Sequence, residues 1–399
     1  VADVKERMKA RGLMNRCGDS AKISTAAGSK ATSRNVCRML ACLCTAVFAV
    51  AILLLIGCGT NRKWLEPRQQ RIAQLIERVG TAEVFIADAD TIRLSAPDTV
   101  LIDYDISVAF SDSIIAIGNR IEKNVVLFSR DGEFIRAIGQ RGLGPGEFQG
   151  VYCVAVGPGD RIYVYDHWLE RISVFSPNGD LKAIWSVGAL TSYYVRDMGV
   201  GPTGLIFLHH APSEQVPGFV SVWDSTGNLS RIVLKASDSK YRSYFKRGVL
   251  DGGIQISPDG VLFESNIFSY RVWKVYPNWV ETSFGEEPAR YHPLPHNVPL
   301  EEAEELHAAI SRSTIILKPL FLESSGLLLQ DIVNPPNQSF YQVYDTSGTY
   351  LGRVDDGPSF RSESHGFLLG LYPKYGSPKY GKVEQRIPYD IILYKERKF

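Results

Sequence analysis

A chain of 399 residues, 45% hydrophobic and 22% charged, carries enough apolar surface for a large core, which excludes global disorder. Its formal net charge of +1 excludes the basic footprint of a general nucleic-acid binder, so no nucleic-acid partner is expected. Five of the six cysteines (Cys17, Cys37, Cys42, Cys44 and Cys58) precede the globular part, which excludes a disulfide framework within it.

From Leu40 to Gly57 every residue is apolar or small apart from Thr45, and Arg34 and Arg38 stand just before the run. This is the pattern of a secretory leader. It closes on Leu55-Ile56-Gly57-Cys58, which resembles the lipobox of bacterial lipoproteins. The resemblance implies cleavage before Cys58 and acylation of its thiol, so residues 1–58 form a leader and the membrane is a partner through lipid on Cys58. An uncleaved anchor helix is the alternative, since a run of this length just spans a bilayer. Either way the chain beyond it is expected in the cell envelope, facing the periplasm or the cell surface. Gly59 in place of Asp favours the outer over the inner membrane. The stretch before the apolar run is long for a basic leader region, and Met14 is a candidate start.

Residues 59–82 read as a linker in which Ile72, Leu75, Ile76 and Val79 fall at helical spacing. This predicts a short helix between anchor and domain. From Val84 onward, short runs rich in Val, Ile, Tyr and Phe alternate with Gly, Pro, Asp and Asn turns, the mark of consecutive strands. Strand-turn-strand units recur as VVLFSRDGEFIRAI from Val125, ISVFSPNGDLKAIW from Ile172, VSVWDSTGNLSRIV from Val220 and YQVYDTSGTYLGRV from Tyr341. A weaker copy, VWKVYPNWVETSF from Val272, lacks the turn glycine at Pro277-Asn278. Each unit follows another hairpin, so each repeat holds four antiparallel strands, a to d. Such sheets bury both faces only when packed radially.

The repeats place blades at 106–138, 151–187, 194–234, 250–284 and 314–354. A sixth, built from Phe367 to Tyr372 and Tyr389 to Tyr394, is expected to close through an N-terminal strand near Thr91 to Ser95. The fold class is therefore all-β, a six-bladed ring over residues 83–399. One insertion, 286–313, holds a Pro-rich half and a helix-forming half from Leu300, and is expected to form a flap over the top of the channel. Phe148 to Asp180 resembles an NHL repeat, with its Gly-Glu-Phe entry, GDRIYVYD and RISVF strands and NGD turn. Together with GQRGLGPGEF the chain resembles bacterial six-bladed β-propeller lipoproteins of the NHL-like class. The resemblance implies that ligands bind on the face of the b-to-c loops and d-to-a connections.

No P-loop, GxSxG elbow, HExxH or paired CxxC is present. The glycines of GLGPGEF read as a blade connector in which Glu147 hydrogen-bonds backbone amides of a neighbouring blade. His209 and His210 are adjacent on a strand and point to opposite faces, so they do not jointly chelate one ion. His292, His296 and His307 of the insertion would make a three-His zinc site if they converged. Cys153, in an apolar run, reads as a buried structural thiol. The candidate ligand-binding residues of the top face are Arg141, Glu147, His167, Trp168, Arg196, Asp251 and Arg271. They form a mixed-charge, aromatic rim suited to polar or anionic ligands, or alternatively inter-blade salt bridges and packing. No catalytic residue, metal or other cofactor is assigned.

These features point to a lipid-anchored binding module for a protein, peptide or glycan. The alternative is a metal-assisted hydrolase or lyase at the channel mouth, which would require a divalent metal. A component of an envelope assembly without a small ligand is a third reading.

Overall fold

The structure is a computed structural model that describes residues 65–102, 106–187, 195–236, 241, 244–245, 249–296, 298, 303–355, 360–364, 367–373 and 389–399. The leader pattern and Cys58 lie outside these residues. Alternating apolar runs and turns fold into six four-stranded antiparallel sheets. Five run in sequence order, over Ile106 to Ile138, Val151 to Ser186, Val195 to Lys235, Gly252 to Phe284 and Ile315 to Asp355. The first strand of each packs against the first strands of its neighbours, so these strands line the axis of a ring.

The sixth blade takes Phe360–Ser364, Phe367–Pro373 and Tyr389–Glu396 from the C-terminus and its outermost strand, Ile86–Ile92, from the N-terminus. The closing strand pairs Ile86 with Glu396 and Ile92 with Ile391. It thus lies earlier than the expected Thr91 to Ser95. Its sequence, IADADTI, places Asp88 and Asp90 among apolar residues, as suits an outer edge strand. Ser95 instead reaches the next blade, exchanging backbone hydrogen bonds with Gly132 and Phe134 at 2.9 Å each.

Strand alternation sends successive side chains to opposite neighbours. Ile206 and Leu208 join the core between blades two and three, while Phe207 joins the core between blades three and four. The aromatic that ends the third strand is buried in blades one, two, three and five, as Phe128, Phe175, Trp223 and Tyr344, and Tyr276 of blade four is half-buried. The following turn closes when a residue at positive φ donates its amide to a carbonyl three residues back. Gly132, Gly179, Gly227 and Gly348 do this in four blades. In blade four Trp279 takes that role at φ 68°, with its amide 2.7 Å from the Tyr276 carbonyl. The weak repeat therefore keeps the turn without glycine. Trp279 packs beside the core of blades three and four, and the Arg231 guanidinium lies 5.0 Å from its ring centre, contacts that offset a left-handed cost of roughly 1–2 kcal/mol.

The helix read in the linker is α1, Pro67–Val79. It is built into the ring unit: Ile72 and Ile76 are buried in one core with Leu320, Val343 and Leu351 of blade five. Arg68 and Gln69 at its start donate to the Ser325 carbonyl and the Asp345 carboxylate. The second helix, α2, is Ala303–Ser311 in the insertion. Leu294, Val298, Leu306 and Ile310 pack with Tyr244, Phe245, Ile267 and Phe268, so the insertion seats on the tops of blades three and four. Tyr244 donates its hydroxyl to the Pro295 carbonyl at 2.7 Å, and the Tyr241 and His296 rings stand 5.2 Å apart. No described helix is long and apolar enough to cross a membrane.

Candidate functional site

The b-to-c turns and d-to-a connections share one face, and its most regular part lies over blades one and two. Asp166, at the end of the second strand of blade two, is fully buried. Its carboxylate accepts from the amides of Gln149 at 2.7 Å and of Trp168 and Leu169 at 3.0 Å. One side chain thus fixes the b-to-c turn to the incoming connector. His167 is held further by its amide on the Gly150 carbonyl, 3.0 Å away. The Trp168 ring covers Gly150, where a Cβ would lie 2.3 Å from Cδ1, so only glycine fits beneath it.

The connector carries its own clasp. Glu147 accepts from the Gly144 amide at 2.8 Å and from Gln140 Nε2 at 3.0 Å, bonds that hold its carboxyl below the usual carboxylate range. A Cβ on Gly142 would sit 2.0 Å from the carboxylate, which explains that glycine. Arg171 closes the loop from the other side, donating at 2.7 Å to the carbonyls of Gly144 and Glu147. Glu147 therefore bonds its own connector, a correction to the neighbouring-blade contact expected from sequence. Arg141 is exposed on the same loop.

Around these loops the structure gathers an aromatic and cationic stack. The Arg120 guanidinium lies 3.6 Å from the centre of the Tyr152 ring, Tyr152 is 4.9 Å from His167, and His167 is 5.1 Å from Trp168. Burial, then the charge of Arg120, lowers the His167 pKa, which keeps the ring neutral at neutral pH. Exposed Arg196 is close enough to add to that effect. Four large apolar side chains stand out on the same loops: Leu143 (71% exposed), Trp168 (66%), Ile121 (59%) and Leu101 (40%). Asn119, at the b-to-c turn of blade one, donates to the Leu101 carbonyl at 2.9 Å and fixes that connection at this face.

Of the seven sequence candidates, Arg141, Glu147, His167, Trp168 and Arg196 fall on or beside this patch. Arg271 does not reach it: its guanidinium bonds Ser283 Oγ at 3.0 Å and the Ser283 carbonyl at 2.6 Å on the outer strand of blade four. Asp251 lies on the same face but over blade four, where its carbonyl accepts from the Ile267 amide at 3.2 Å. Arg120, Tyr152 and Asp166 were missed from sequence. Arg120 was findable, because it holds in blade one the b-to-c position that His167 holds in blade two.

The two adjacent histidines diverge. Both are buried, and His209 Nε2 lies 3.1 Å from Glu264 Oε1 across the interface with blade four. Asn266 Nδ2 donates to the same oxygen at 3.0 Å. His210 meets the Ala211 carbonyl at 3.1 Å, and burial pulls its pKa down to about 4. His292 is tied to Thr314, and among the described residues no three His, Cys, Asp or Glu side chains come together to hold a metal. The three-His arrangement conceived for His292, His296 and His307 is thereby corrected: His292 bonds Thr314, the His296 ring stands beside Tyr241, and His307 is exposed on α2. Cys153 is buried, and burial pushes its thiol well above the usual range.

Residues 75–184 match a family model, DUF5128, described as a six-bladed β-propeller. The chain is a six-bladed β-propeller. Among solved structures, the propeller is similar to a Bacteroides fragilis protein described as exported, at 13% identity and TM-score 0.58, covering 80% of this chain and 97% of that one. A DUF4221 member from Bacteroides vulgatus matches at 9% identity and TM-score 0.54, covering 78% and 97%. A virginiamycin B lyase from Staphylococcus aureus matches at 13% identity and TM-score 0.42, over 71% and 81%. At these identities the likenesses speak for the fold alone. Among curated proteins none matches the chain.

Proposed function

We propose that the protein is a lipid-anchored propeller of the cell envelope that binds a partner protein or peptide through the patch over blades one and two. The observation that carries the reading is the placement of Leu101, Ile121, Leu143 and Trp168, all exposed, on adjacent loops beside the Arg120–Tyr152–His167 stack. Exposed apolar side chains gathered on rigid loops, with Arg and aromatic residues among them, are the anatomy of a protein-binding surface. Asp166, Arg171 and Glu147 hold those loops in place, so little ordering is required on binding. The apolar spread over four loops is broader than a single sugar-stacking slot and favours a protein or peptide over a glycan. The leader pattern ending in Cys58 supports export and anchoring, in keeping with an exported structural neighbour. α1, which leads into the propeller, begins beside Ser325 and Asp345 at the opposite face.

Two measurements test the two halves of the reading. Mass spectrometry of the membrane-extracted protein should find Cys58 as an acylated N-terminus; an unmodified Cys58 or an intact leader removes the anchor. Quantitative recovery with the tagged protein should yield a partner that a Leu143→Asp/Trp168→Asp variant of unchanged melting temperature loses. Equal recovery by both proteins, or recovery of glycan alone, overturns the assignment of the patch to a protein partner.

A further inference from the structure

α1 begins on the face of the a-to-b and c-to-d turns, where Arg68 donates to the Ser325 carbonyl and Gln69 to the Asp345 carboxylate. The same corner of blades five and six receives the end of the strand Tyr389–Glu396. There Glu396 is buried and accepts from the Ser324 amide at 2.8 Å. Arg397, the next residue, donates through its amide to the Phe85 carbonyl at 2.8 Å and through its guanidinium to the Ile86 carbonyl at 2.9 Å. The Phe85 and Phe399 rings stand 6.4 Å apart, which fixes Lys398 between two held neighbours. Arg71 lies one turn beyond Arg68 on the same side of α1. One corner thus gathers Arg68, Arg71, Arg397 and Lys398, all exposed.

This corner is basic because two of its acids turn inward. Asp345 is buried and accepts from the amides of Ser347 and Thr349 at 2.9 Å each, and Glu396 is spent on Ser324. Glu66, Glu83 and Glu323 are its remaining carboxylates, while Asp88 stands opposite Lys395 on the neighbouring strand. The guanidiniums of Arg68 and Arg397 bond neutral carbonyls, which leave their charge whole. On blades one and two, by contrast, cations of this face meet carboxylates: Arg130 lies 3.0 Å from Asp112 and Lys182 3.4 Å from Asp180.

The chain before α1 adds to the same charge. Cys58 precedes Leu65 by seven residues, which reach at most about 25 Å in any conformation. They include Arg62, Lys63 and Trp64, and basic residues beside tryptophan suit a membrane interface. We propose that the basic corner of blades five and six is a docking surface for the anionic headgroups of the membrane that holds the protein, and that it turns the patch over blades one and two, on the other face, away from that membrane. This rests on the lipid-anchored reading above: a lipid on Cys58 keeps the corner within the tether's short reach, and each basic residue near an anionic surface strengthens attachment roughly fivefold.

The protein purified from membranes, reconstituted in vesicles of phosphatidylcholine and phosphatidylglycerol with a rhodamine-labelled lipid, tests this by energy transfer. Cys153 is buried and takes no label. A fluorophore on Gln70→Cys of α1 should transfer to the lipid more efficiently than one on Glu170→Cys beside Trp168. The Gln70→Cys signal should fall in molar salt, in vesicles of phosphatidylcholine alone, and in an Arg71→Gln/Lys398→Gln background. An Arg161→Gln/Lys182→Gln background, which removes the same charge from blade two, should leave it unchanged. Equal transfer from the two positions, or a signal indifferent to phosphatidylglycerol and to Arg71→Gln/Lys398→Gln, overturns the proposal. If mass spectrometry finds no lipid on Cys58, the anchor reading falls by itself. Sedimentation of the same protein with phosphatidylglycerol vesicles then judges the surface alone: Arg71→Gln/Lys398→Gln should bind at least tenfold more weakly, and equal binding overturns it.

Discussion

Removal of His209 should be among the most damaging single changes in the propeller. Its imidazole and the Glu264 carboxylate are both fully buried between blades three and four, 3.1 Å apart, and beyond His209 the carboxylate has Asn266 Nδ2 at 3.0 Å. His209→Ala leaves a buried acid with half its contacts and an imidazole-sized gap, which should cost about 3–5 kcal/mol. The unit from Leu65 to Phe399 should unfold with an entropy of roughly 0.7 kcal/mol/K, so this corresponds to a drop in melting temperature of about 4–7 °C. Differential scanning calorimetry of His209→Ala, Glu264→Leu and the double His209→Leu/Glu264→Leu variant tests the argument. The double variant should recover most of the loss, because it removes both desolvated groups and refills the space. A loss under about 1 °C in His209→Ala, or a double variant as unstable as the sum of the singles, would refute it.

Two further outcomes follow from neighbouring groups. Burial holds the His210 pKa near 4, below the ordinary 6.5, so the folded state binds fewer protons than the unfolded one. The stabilisation from its neutral ring is therefore complete above pH 6.5 and is lost as pH falls through 4, a change of roughly 3 kcal/mol. Denaturation midpoints measured across that window should fall with acid, and a His210→Phe variant should show a flatter profile. Asp166→Ala should release the turn that carries Trp168 and cost about 2–4 kcal/mol, since three amides lose one buried acceptor. Faster hydrogen exchange at Gln149, Trp168 and Leu169 would report it, and unchanged exchange would contradict it.

The blades were legible wherever the turn between the third and fourth strands used glycine, because a positive φ leaves a residue-type signature. Blade four hid that signature behind Trp279, whose left-handed conformation is held by packing that only the folded neighbours supply. Phe360–Ser364, the innermost strand of blade six, went unread because its sequence, FRSES, is short and mostly polar. Its place is fixed instead by pairing with the more apolar Phe367–Pro373. α1 was legible from its spacing, but its docking on blade five was not, since Ile72 and Ile76 find their partners more than 240 residues away. The same distance problem governs the sites. His167 and Trp168 were readable as one loop, whereas Arg120 joins them only through stacking on Tyr152. His209 and His210 were correctly separated by strand alternation, but Glu264 is 55 residues from His209 and nothing local announces it. Ring closure likewise brings Asp197 and Lys318 together across blades three and five, 2.9 Å apart.

Site-specific photo-crosslinking in cells that express the protein tests the central claim most directly. A benzoylphenylalanine at Trp168 or Leu143 should capture one and the same partner protein. The same probe at Ile184, 37% exposed on the outer strand of blade two, should not. Crosslinks of equal yield at Ile184, or none at Trp168 and Leu143, would contradict a binding function for the face over blades one and two.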